Sequence, residues 1–260
     1  MKSLKNWFLV LSVLSCFGCS SPVHEDGRGC AFVSDSIQYR VEFMSEGCVR
    51  ILSFPEGDTL VTKRLVVDSQ KPAFKDYKWK DTGQQLIFST RELSVAFDKE
   101  DAAFTFQEVS TGKLLLKEKE AKKARHFKRS VTGGEQCLEV TQRFVPTDDE
   151  AIYGLGQYQN GIMNYRGKSV LLLQANMDIV NPFLISTNGY GILWDNYSST
   201  KFEDTKEGYS FTSEVGDASD YYFVYGKNMD EVVAGYRELT GDVPMFGKWV
   251  YGFWQSKERY

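Results

Sequence analysis

Residues 37–44 read IQYRVEFM, a stretch in which side chains of two kinds alternate along the chain. Ile37, Tyr39, Val41 and Phe43 occupy every second position, and the positions after them carry Gln, Arg, Glu and Met. Successive side chains of a strand point to opposite faces of a sheet, so a period of two is typical of a half-buried strand. The stretch therefore predicts a β-strand whose aromatic and aliphatic side chains face a core.

Stretches of the same kind follow along most of the chain and are separated by turn residues such as Pro55 and Gly83. They cover residues 49–54, 60–67, 85–89, 93–97, 104–108, 137–144, 169–173, 183–187, 190–196, 209–214 and 221–225. A charged segment at 117–129 interrupts the series and is predicted to be a solvated loop or a hairpin edge. So many strands without amphipathic helices between them predict a mostly β fold, a large antiparallel β-sandwich over residues 30–227.

One helix is predicted after the sandwich. Asn228 is a suitable N-cap, Glu231 three residues later completes the pattern of a capping box, and Gly241 ends the segment. The apolar side chains on one helical face are Met229, Val232, Val233 and Tyr236. The apolar run at 249–255 then predicts a strand buried on both sides. Residues 228–260 are thus expected to hold a linker helix and the start of a second, incomplete domain.

The composition limits which classes of function are possible for the chain. The chain has 260 residues, of which 42% are hydrophobic and 14% aromatic, and its 31 basic and 35 acidic residues give a net charge of -4. No basic stripe is present, so no nucleic acid is expected as a partner. Cys30, Cys48 and Cys137 lack the spacing of a zinc site, so no metal is expected, and the spacing leaves open both one disulfide and buried thiols.

Residues 1–19 have the layout of an export signal. Lys2 and Lys5 precede an apolar run that is shorter than the roughly 20 residues of a membrane-spanning helix. Small residues and two cysteines, Cys16 and Cys19, follow this run. The sequence therefore predicts a signal peptide of the lipoprotein type.

Both cysteines lie in stretches that resemble a bacterial lipobox, in which the cysteine becomes the acylated N-terminus. Residues 13–16, which read VLSC, favour Cys16 because Val and Ser suit the positions before the cleavage site, and Cys19 is the second candidate. Residues 20–29 are polar and are predicted to be a tether between the lipid and the fold. We expect an exported lipoprotein that faces the periplasm or the cell surface and contacts the membrane only through its lipid anchor. Ordinary secretion is the alternative.

Several stretches carry a family resemblance. Residues 151–158 read AIYGLGQY, and residues 176–178, 182–196, 240–244 and 249–260 follow them. Together, in this order, they resemble the N-terminal part of glycoside hydrolase family 31. The resemblance implies a galactose mutarotase-like β-sandwich, then one helix, then the first strand of a (β/α)8 catalytic barrel that is truncated in this chain.

The resemblance also implies an activity. Residues 157–161 and 193–198 are most similar to the α-xylosidase-like branch, which removes α-xylosyl groups from xyloglucan fragments, and an α-glucosidase is the alternative. Such enzymes resemble retaining exo-α-glycosidases that use two carboxylates. The family's nucleophile motif, Trp-x-Asp-Met-Asn-Glu, does not occur in this sequence. We therefore expect the catalytic residues in the barrel, no catalysis by this chain alone, an oligosaccharide substrate and no cofactor.

The resemblance implies three substrate-binding residues. Asp178 lies where related α-glucosidases place an aspartate that accepts hydrogen bonds from sugar hydroxyls, and an aspartate that caps a turn is the alternative interpretation. Trp254 and Gln255 end the expected barrel strand, on the face where the active sites of such barrels form.

Two other classes of function are possible for such a sandwich. A sugar mutarotase needs a general acid and a general base, usually histidine with glutamate, and the chain offers only His24 in the predicted tether and His126 in the charged segment. A non-catalytic glycan-binding surface lipoprotein would retain the sandwich and lack the barrel. The codons that follow Tyr260 discriminate between an enzyme and a binding module.

Overall fold

The structure, a computed structural model, describes residues 23–58, 65–68, 72–120 and 126–255. Within these ranges the chain forms 18 strands, one α-helix and one short 3₁₀ helix. All pairings between these strands are antiparallel. The predicted mostly β fold is confirmed.

The strands form two sheets. Sheet A has eight strands, in the order β1 (His24–Glu25), β2 (Cys30–Ser34), β3 (Ile37–Phe43), β4 (Cys48–Pro55), β18 (Ser219–Tyr225), β15 (Tyr190–Trp194), β14 (Ile179–Ser186) and β12 (Ile152–Gln157). Sheet B has ten strands, in the order β13 (Ser169–Leu172), β16 (Thr200–Thr205), β17 (Gly208–Ser213), β11 (Glu135–Val145), β9 (Leu114–Glu118), β8 (Ala103–Glu108), β7 (Leu93–Asp98), β6 (Gln85–Ser89) and β5 (Lys78–Asp81), with β10 (Phe127–Thr132) paired to β11. Because β4 pairs with β18, sheet A joins distant parts of the chain.

Sheets A and B face each other across an aromatic core. Phe106 of β8 stacks on Phe223 of β18 with their ring centroids 4.1 Å apart, and Trp194 of β15 stacks on Phe211 of β17 at 5.5 Å. The Trp194 indole N–H donates to the Ser213 hydroxyl at 2.9 Å, so its polar atom is also satisfied. Burial of each such side chain contributes roughly 1.5–3 kcal/mol to stability. The predicted sandwich is thus confirmed.

Helix α1 (Met229–Thr240) packs on the outer face of sheet A, against β14, β15 and β18. The Asn228 side chain accepts a hydrogen bond from the Glu231 backbone N–H at 2.9 Å, which is the predicted N-cap. Val232 is fully buried, whereas Val233, which was predicted on the same face, is 42% exposed. Neighbouring helical positions differ by about 100° around the axis, so the buried stripe is narrower than predicted.

Helix α1 packs across several strands of sheet A. The Tyr236 ring stacks on Phe183 of β14, with the ring centroids 4.3 Å apart. Closer to the end of the helix, Leu239 lies beside Met44 and Cys48, at the turn between β3 and β4. The helix therefore covers the outer face of sheet A from β14 to β4.

The predicted strand at 249–255 does not form. Residues Lys248–Tyr251 adopt a 3₁₀ helix instead, and the Trp249 and Phe253 side chains are 71% and 89% exposed. A strand is maintained by hydrogen bonds to its neighbours, and no described strand pairs with this segment. Its apolar side chains, which the sequence assigned to a barrel core, therefore lie on the surface.

The sandwich begins within the predicted tether. β1 pairs with β2, so residues 24 and 25 already belong to sheet A. The next residue, Asp26, forms an ion pair with Arg40 of β3 at 2.6 Å and accepts hydrogen bonds from the backbone N–H groups of Arg28 and Gly29. These contacts attach the segment to the sheet, which corrects the predicted start of the fold at residue 30.

The pairing of β12 with β14 contains a bulge at the glycine motif. The register shifts between Gly154 and Gly156, and Gly154, Leu155 and Gly156 have φ angles of 98°, 67° and 117°. Leu155 adopts a left-handed backbone conformation although it is not a glycine, and its side chain is fully buried in the core. A Cβ atom on Gly156 would lie only 2.0 Å from the Ile179 carbonyl oxygen. Only glycine therefore permits this close approach of the two strands.

Glu118 is buried in the core, although the charged segment around it was predicted to be a solvated loop or hairpin edge. Its carboxylate accepts hydrogen bonds from the Tyr221 hydroxyl at 2.6 Å, the Gln142 side chain at 2.8 Å and the Phe104 backbone N–H at 2.8 Å. Burial raises the pKa of Glu118 to about 7, against the effect of the hydrogen bonds from Tyr221 and Phe104. Since Tyr221 belongs to sheet A, this carboxylate connects the two sheets.

We predict that Gly156→Ala lowers the free energy of unfolding by at least about 3 kcal/mol, because the new methyl group overlaps a carbonyl oxygen and φ is positive. Gly161→Ala is the matched control. Gly161 also has a positive φ, 70°, but no atom lies within 4 Å of the added Cβ, so we expect a loss of about 1 kcal/mol. Urea unfolding of both variants measures the difference, and equal losses would contradict the steric argument.

We predict that Glu118→Gln flattens the dependence of stability on pH. The folded state binds the Glu118 proton more tightly than the unfolded chain, so this group's contribution to stability is lost as the pH rises from about 4.5 to about 7. The wild type should lose up to about 3 kcal/mol relative to the variant across this window. Thermal unfolding between about pH 4 and pH 8 tests this, with the exposed Glu207→Gln as control. Parallel curves for the wild type and Glu118→Gln would show that Glu118 is not the group that titrates.

Candidate functional site

Asp178 lies on a tight turn between β13 and β14. Its backbone N–H donates to the Ala175 carbonyl at 3.3 Å. The Gln174 side chain bridges the turn, since its amide donates to the Asp178 carbonyl at 2.8 Å and its oxygen accepts from the Val180 N–H at 3.1 Å. Met177 at the tip has a φ of 71°. Within the described residues the Asp178 carboxylate accepts no hydrogen bond, so backbone groups and Gln174 maintain the turn.

Tyr158 lies beside this turn. It begins the loop 158–168, which joins β12 to β13, and its hydroxyl donates to the Leu155 carbonyl at 3.0 Å. Burial, the neighbouring Tyr165 and the negative charge of Asp178 raise the pKa of Tyr158 to about 12. Gln157 pairs with Ile179, so Tyr158 and Asp178 are neighbours at the same end of this strand pair. The sequence analysis did not assign Tyr158 to the site, although this residue directly follows the glycine motif.

Trp254 and Gln255 lie on the exposed segment after the 3₁₀ helix. The Trp254 indole N–H donates to the Val250 carbonyl at 2.8 Å, and its ring centroid is 5.8 Å from that of Trp249. Among the described contacts, no hydrogen bond connects either residue to Asp178. The structure therefore does not connect the three predicted substrate-binding residues through hydrogen bonds.

Among the described residues, Glu118 and Glu150 have a raised pKa, and both face the interior. Glu118 is described above. Glu150, which precedes β12, is 6% exposed and accepts hydrogen bonds from the Tyr190 hydroxyl at 2.8 Å and the Ser186 hydroxyl at 3.0 Å. Burial raises the pKa of Glu150. Their oxygens face protein hydroxyl, amide and backbone groups and, at Glu150, the Arg166 guanidinium, so neither glutamate is placed to attack or protonate a sugar.

The two histidines lie in different surroundings. His24 is exposed on β1 of sheet A. His126 precedes β10 of sheet B, is 8% exposed, and its Nδ1 lies 3.1 Å from the Thr141 carbonyl oxygen. Burial lowers the pKa of His126 to about 4. Because its ring is buried, His126 does not present an acid or a base to a sugar, which argues against mutarotase chemistry at this residue.

The remaining predicted sites are lipidation and metal sites. Cys16 and Cys19 lie outside the described residues. Cys30, Cys48 and Cys137 are thiols that form no disulfide in the described part of the chain. Across those same ranges, no cluster of three His, Cys, Asp or Glu side chains is arranged to hold a metal ion. No described helix is long and apolar enough to cross a bilayer.

A cleft of about 470 Å³ lies at the β10–β11 hairpin, and Asp178 is not among the residues that line it. Its lining includes Arg129, Gln136 and Asp217, and none of the predicted substrate-binding residues contributes to it. Asp178 is instead half-exposed on its turn. The cleft and the Asp178 turn are therefore separate features of the described residues.

The sequence matches a known domain. The profile described as "Glycosyl hydrolase 31 N-terminal galactose mutarotase-like domain" covers residues 38–203. An alpha-xylosidase of Saccharolobus solfataricus is 36% identical over 240 residues, which is 86% of this chain and 31% of the relative. Alpha-glucosidase 2 of Bacillus thermoamyloliquefaciens is 27% identical over 88% of this chain and 30% of the relative.

Solved structures show the same fold. The GH31 alpha-xylosidase from Xanthomonas citri superposes with a TM-score of 0.80 at 23% identity, over 92% of this chain and 42% of that protein. A GH31 dextranase of Flavobacterium johnsoniae superposes with a TM-score of 0.73 over 91% of this chain and 30% of that protein. The chain thus spans about a third of the length of the two curated relatives named above.

The domain profile covers more than half of the chain, and the two antiparallel sheets agree with the fold of the solved relatives. The expectation drawn from the glycine motif and the stretches around it is therefore confirmed. The chain belongs to glycoside hydrolase family 31, and it contains that family's N-terminal galactose mutarotase-like domain.

Proposed function

We propose that the chain is the N-terminal domain of an exported retaining exo-α-glycosidase, closest to an α-xylosidase, that acts on oligosaccharides of the xyloglucan type. In this proposal the sandwich forms one wall of the sugar pocket through the turn that carries Asp178. The catalytic carboxylates belong to a barrel that follows the described residues, so the chain alone is inactive. An α-glucosidase with the same arrangement is the nearest alternative substrate class.

The observation that carries the proposal is the pattern of hydrogen bonds at the Asp178 turn. A turn-capping aspartate would accept hydrogen bonds from backbone N–H groups of its own turn. Here Gln174 performs that role, and the Asp178 carboxylate accepts no hydrogen bond from the described residues. A carboxylate on a half-exposed turn can accept charge-assisted hydrogen bonds from sugar hydroxyls.

The exposed apolar segment at 243–255 supports the same assignment. Met245, Trp249 and Phe253 are 95%, 71% and 89% exposed, and such a surface favours packing against a further domain. In this proposal that domain supplies the remaining walls of the pocket at the Asp178 turn.

A non-catalytic glycan-binding lipoprotein is the second candidate, and one observation favours it. Trp249, Phe253 and Trp254 expose 71%, 89% and 64% of their surface, and exposed aromatic rings can stack on the apolar faces of sugars. The codons after Tyr260 decide between the two. An open frame that encodes Trp-x-Asp-Met-Asn-Glu supports the enzyme, and a stop codon supports the binding module.

We predict that Asp178→Ala, in the enzyme encoded by the complete reading frame, lowers kcat/KM by about 5- to 150-fold, which corresponds to about 1–3 kcal/mol of lost hydrogen bonding. The melting temperature should change little, because the carboxylate does not stabilise its turn. Kinetics with an aryl α-xyloside and an aryl α-glucoside, together with thermal unfolding, measure both effects.

Asp149→Ala is the matched control, since Asp149 is an exposed aspartate near the opposite end of β12. It should leave both kcat/KM and the melting temperature unchanged. If Asp178→Ala behaves like this control, Asp178 does not bind the substrate. If its activity and stability fall together, the residue serves the turn.

We also propose that the protein is a membrane-anchored lipoprotein, and we predict acyl chains on the mature N-terminal cysteine. The lipobox-like stretches at Cys16 and Cys19 support this, and two or more acyl chains give stable membrane attachment. Mass spectrometry of the mature N-terminus and detergent partitioning test it. Cys16→Ser should abolish the modification if Cys16 is the acylated residue, and an unmodified N-terminus beyond Cys19 would exclude the anchor.

A further inference from the structure

The β10–β11 hairpin projects beyond the rest of sheet B and forms one side of a cleft. β11 pairs with β17 from Val140 onward, and within the described strands residues 135–139 pair with β10 alone. The cleft lies between this projecting hairpin, the segment 214–218 before β18 and the turn after β4, and its volume is about 470 Å³. Pockets for small ligands have volumes of roughly 300–1,000 Å³, so the cleft has a suitable size.

The hairpin is attached at its base to the segment before β18. Arg129 pairs with Leu138, so their side chains share one face of the hairpin. The Leu138 side chain packs against the core, and its carbonyl accepts a hydrogen bond from the Gly216 N–H at 3.0 Å. These contacts fix the hairpin next to Gly216 and Asp217, so the two sides of the cleft are held in place by the fold.

The charged side chains of the cleft are not paired with one another. Arg129 lines it together with the carboxylates of Asp58 and Asp217, yet among the described residues none of these three side chains forms an ion pair or a hydrogen bond. Elsewhere on the surface such groups are paired, as Arg91 is with Glu46 at 2.5 Å. The guanidinium and both carboxylates are therefore available to a ligand.

The lining fits a neutral ligand that carries hydroxyl groups. Two carboxylates against one guanidinium do not favour an anion, and Ca²⁺ takes about six to eight oxygen ligands, more than two carboxylates supply. A hydroxyl group both donates and accepts hydrogen bonds, so it can bind the carboxylates, the guanidinium and the Gln136 amide. Val131 and Leu138 add apolar contacts for the carbon-bound hydrogens of a sugar ring.

The cleft and the Asp178 turn lie at the same end of sheet A. The strand registers bring together the end of β4, the start of β18, the end of β15, the start of β14 and the end of β12. Asp58 follows β4, Asp217 precedes β18 and Asp178 precedes β14. One strand, β15, lies between β18 and β14 in the sheet, which places these two strands about 10 Å apart. The cleft is thus at the end of the sandwich where the proposed substrate binds.

We propose that this cleft is a second sugar-binding site, which holds units of an oligosaccharide and takes no part in their cleavage. Arg129 and Gln136 bind sugar hydroxyls from the hairpin, and Asp217 binds them from the segment before β18. The inference goes beyond the proposed function because it requires no catalysis. It rests on that function only for the choice of xyloglucan-type sugars as the ligand.

Saturation-transfer NMR with the 260-residue chain measures the binding. Xyloglucan oligosaccharides and malto-oligosaccharides are the sugar probes, and inorganic phosphate and Ca²⁺ test the ionic alternatives. We expect sugar to bind, and Arg129→Ala and Asp217→Ala each to weaken this binding about fivefold or more, since each removes charge-assisted hydrogen bonds. Lys128→Ala, which removes a neighbouring exposed cation outside the cleft, is the matched control and should leave the affinity unchanged. Hydrogen exchange with and without sugar should show added protection at 129–138 and 215–218.

The absence of sugar binding would overturn the proposal, and so would wild-type affinity in both Arg129→Ala and Asp217→Ala. Binding that only Asp178→Ala abolishes would place the sugar at the turn instead of the cleft. Binding of phosphate or Ca²⁺ in place of sugar would show an ionic site and also overturn the proposal. If Arg129→Ala fails to fold, Gln136→Ala tests the same side of the cleft. If the cleft binds malto-oligosaccharides and no xyloglucan oligosaccharide, the site stands and the xyloglucan-type substrate of the proposed function fails.

Discussion

Each sheet has one face lined with aromatic and aliphatic side chains, and the burial of these two faces against each other is the constraint on which the rest of the structure depends. Phe106 and Phe223 stack directly across the interface, and Phe144 and Tyr221 meet edge to face at 5.2 Å. Sheet A is complete only when β18 pairs with β4, from the opposite end of the sandwich sequence. The apolar faces therefore become buried only after nearly all strands are in place.

The core also contains carboxylates, which hydrophobic burial does not explain. Glu118 connects β9 to β18 through Tyr221, and Glu150 contacts Tyr190 of β15, whose hydroxyl lies 3.2 Å from that of Tyr209 in β17. A buried carboxylate costs several kcal/mol unless its oxygens receive hydrogen bonds. Each cluster therefore favours one arrangement of the two sheets, because a shifted arrangement would leave a buried charge without donors.

The sandwich could be predicted from alternation such as that at 37–43, because one buried face imposes a period of two. The burial of Glu118 could not be predicted, since its lysine neighbours make the segment charged on average while the Glu118 side chain points inward. The apolar run at 249–255 indicates a preference for burial and contains no information about which partner is present. Family resemblance located Asp178, yet its place next to Tyr158 follows from the register of β12 with β14, which local sequence does not reveal.

The register between β12 and β14 explains why one end of sheet A brings the features of the candidate site together. The glycines of the bulge let β12 approach β14 so closely that Gln157 pairs with Ile179, the residue after Asp178. Loop 158–168 starts at this pair. Backbone hydrogen bonds and the Gln174 side chain determine the shape of the Asp178 turn. Because none of these contacts uses the Asp178 carboxylate, that group can bind a ligand without any cost to the fold.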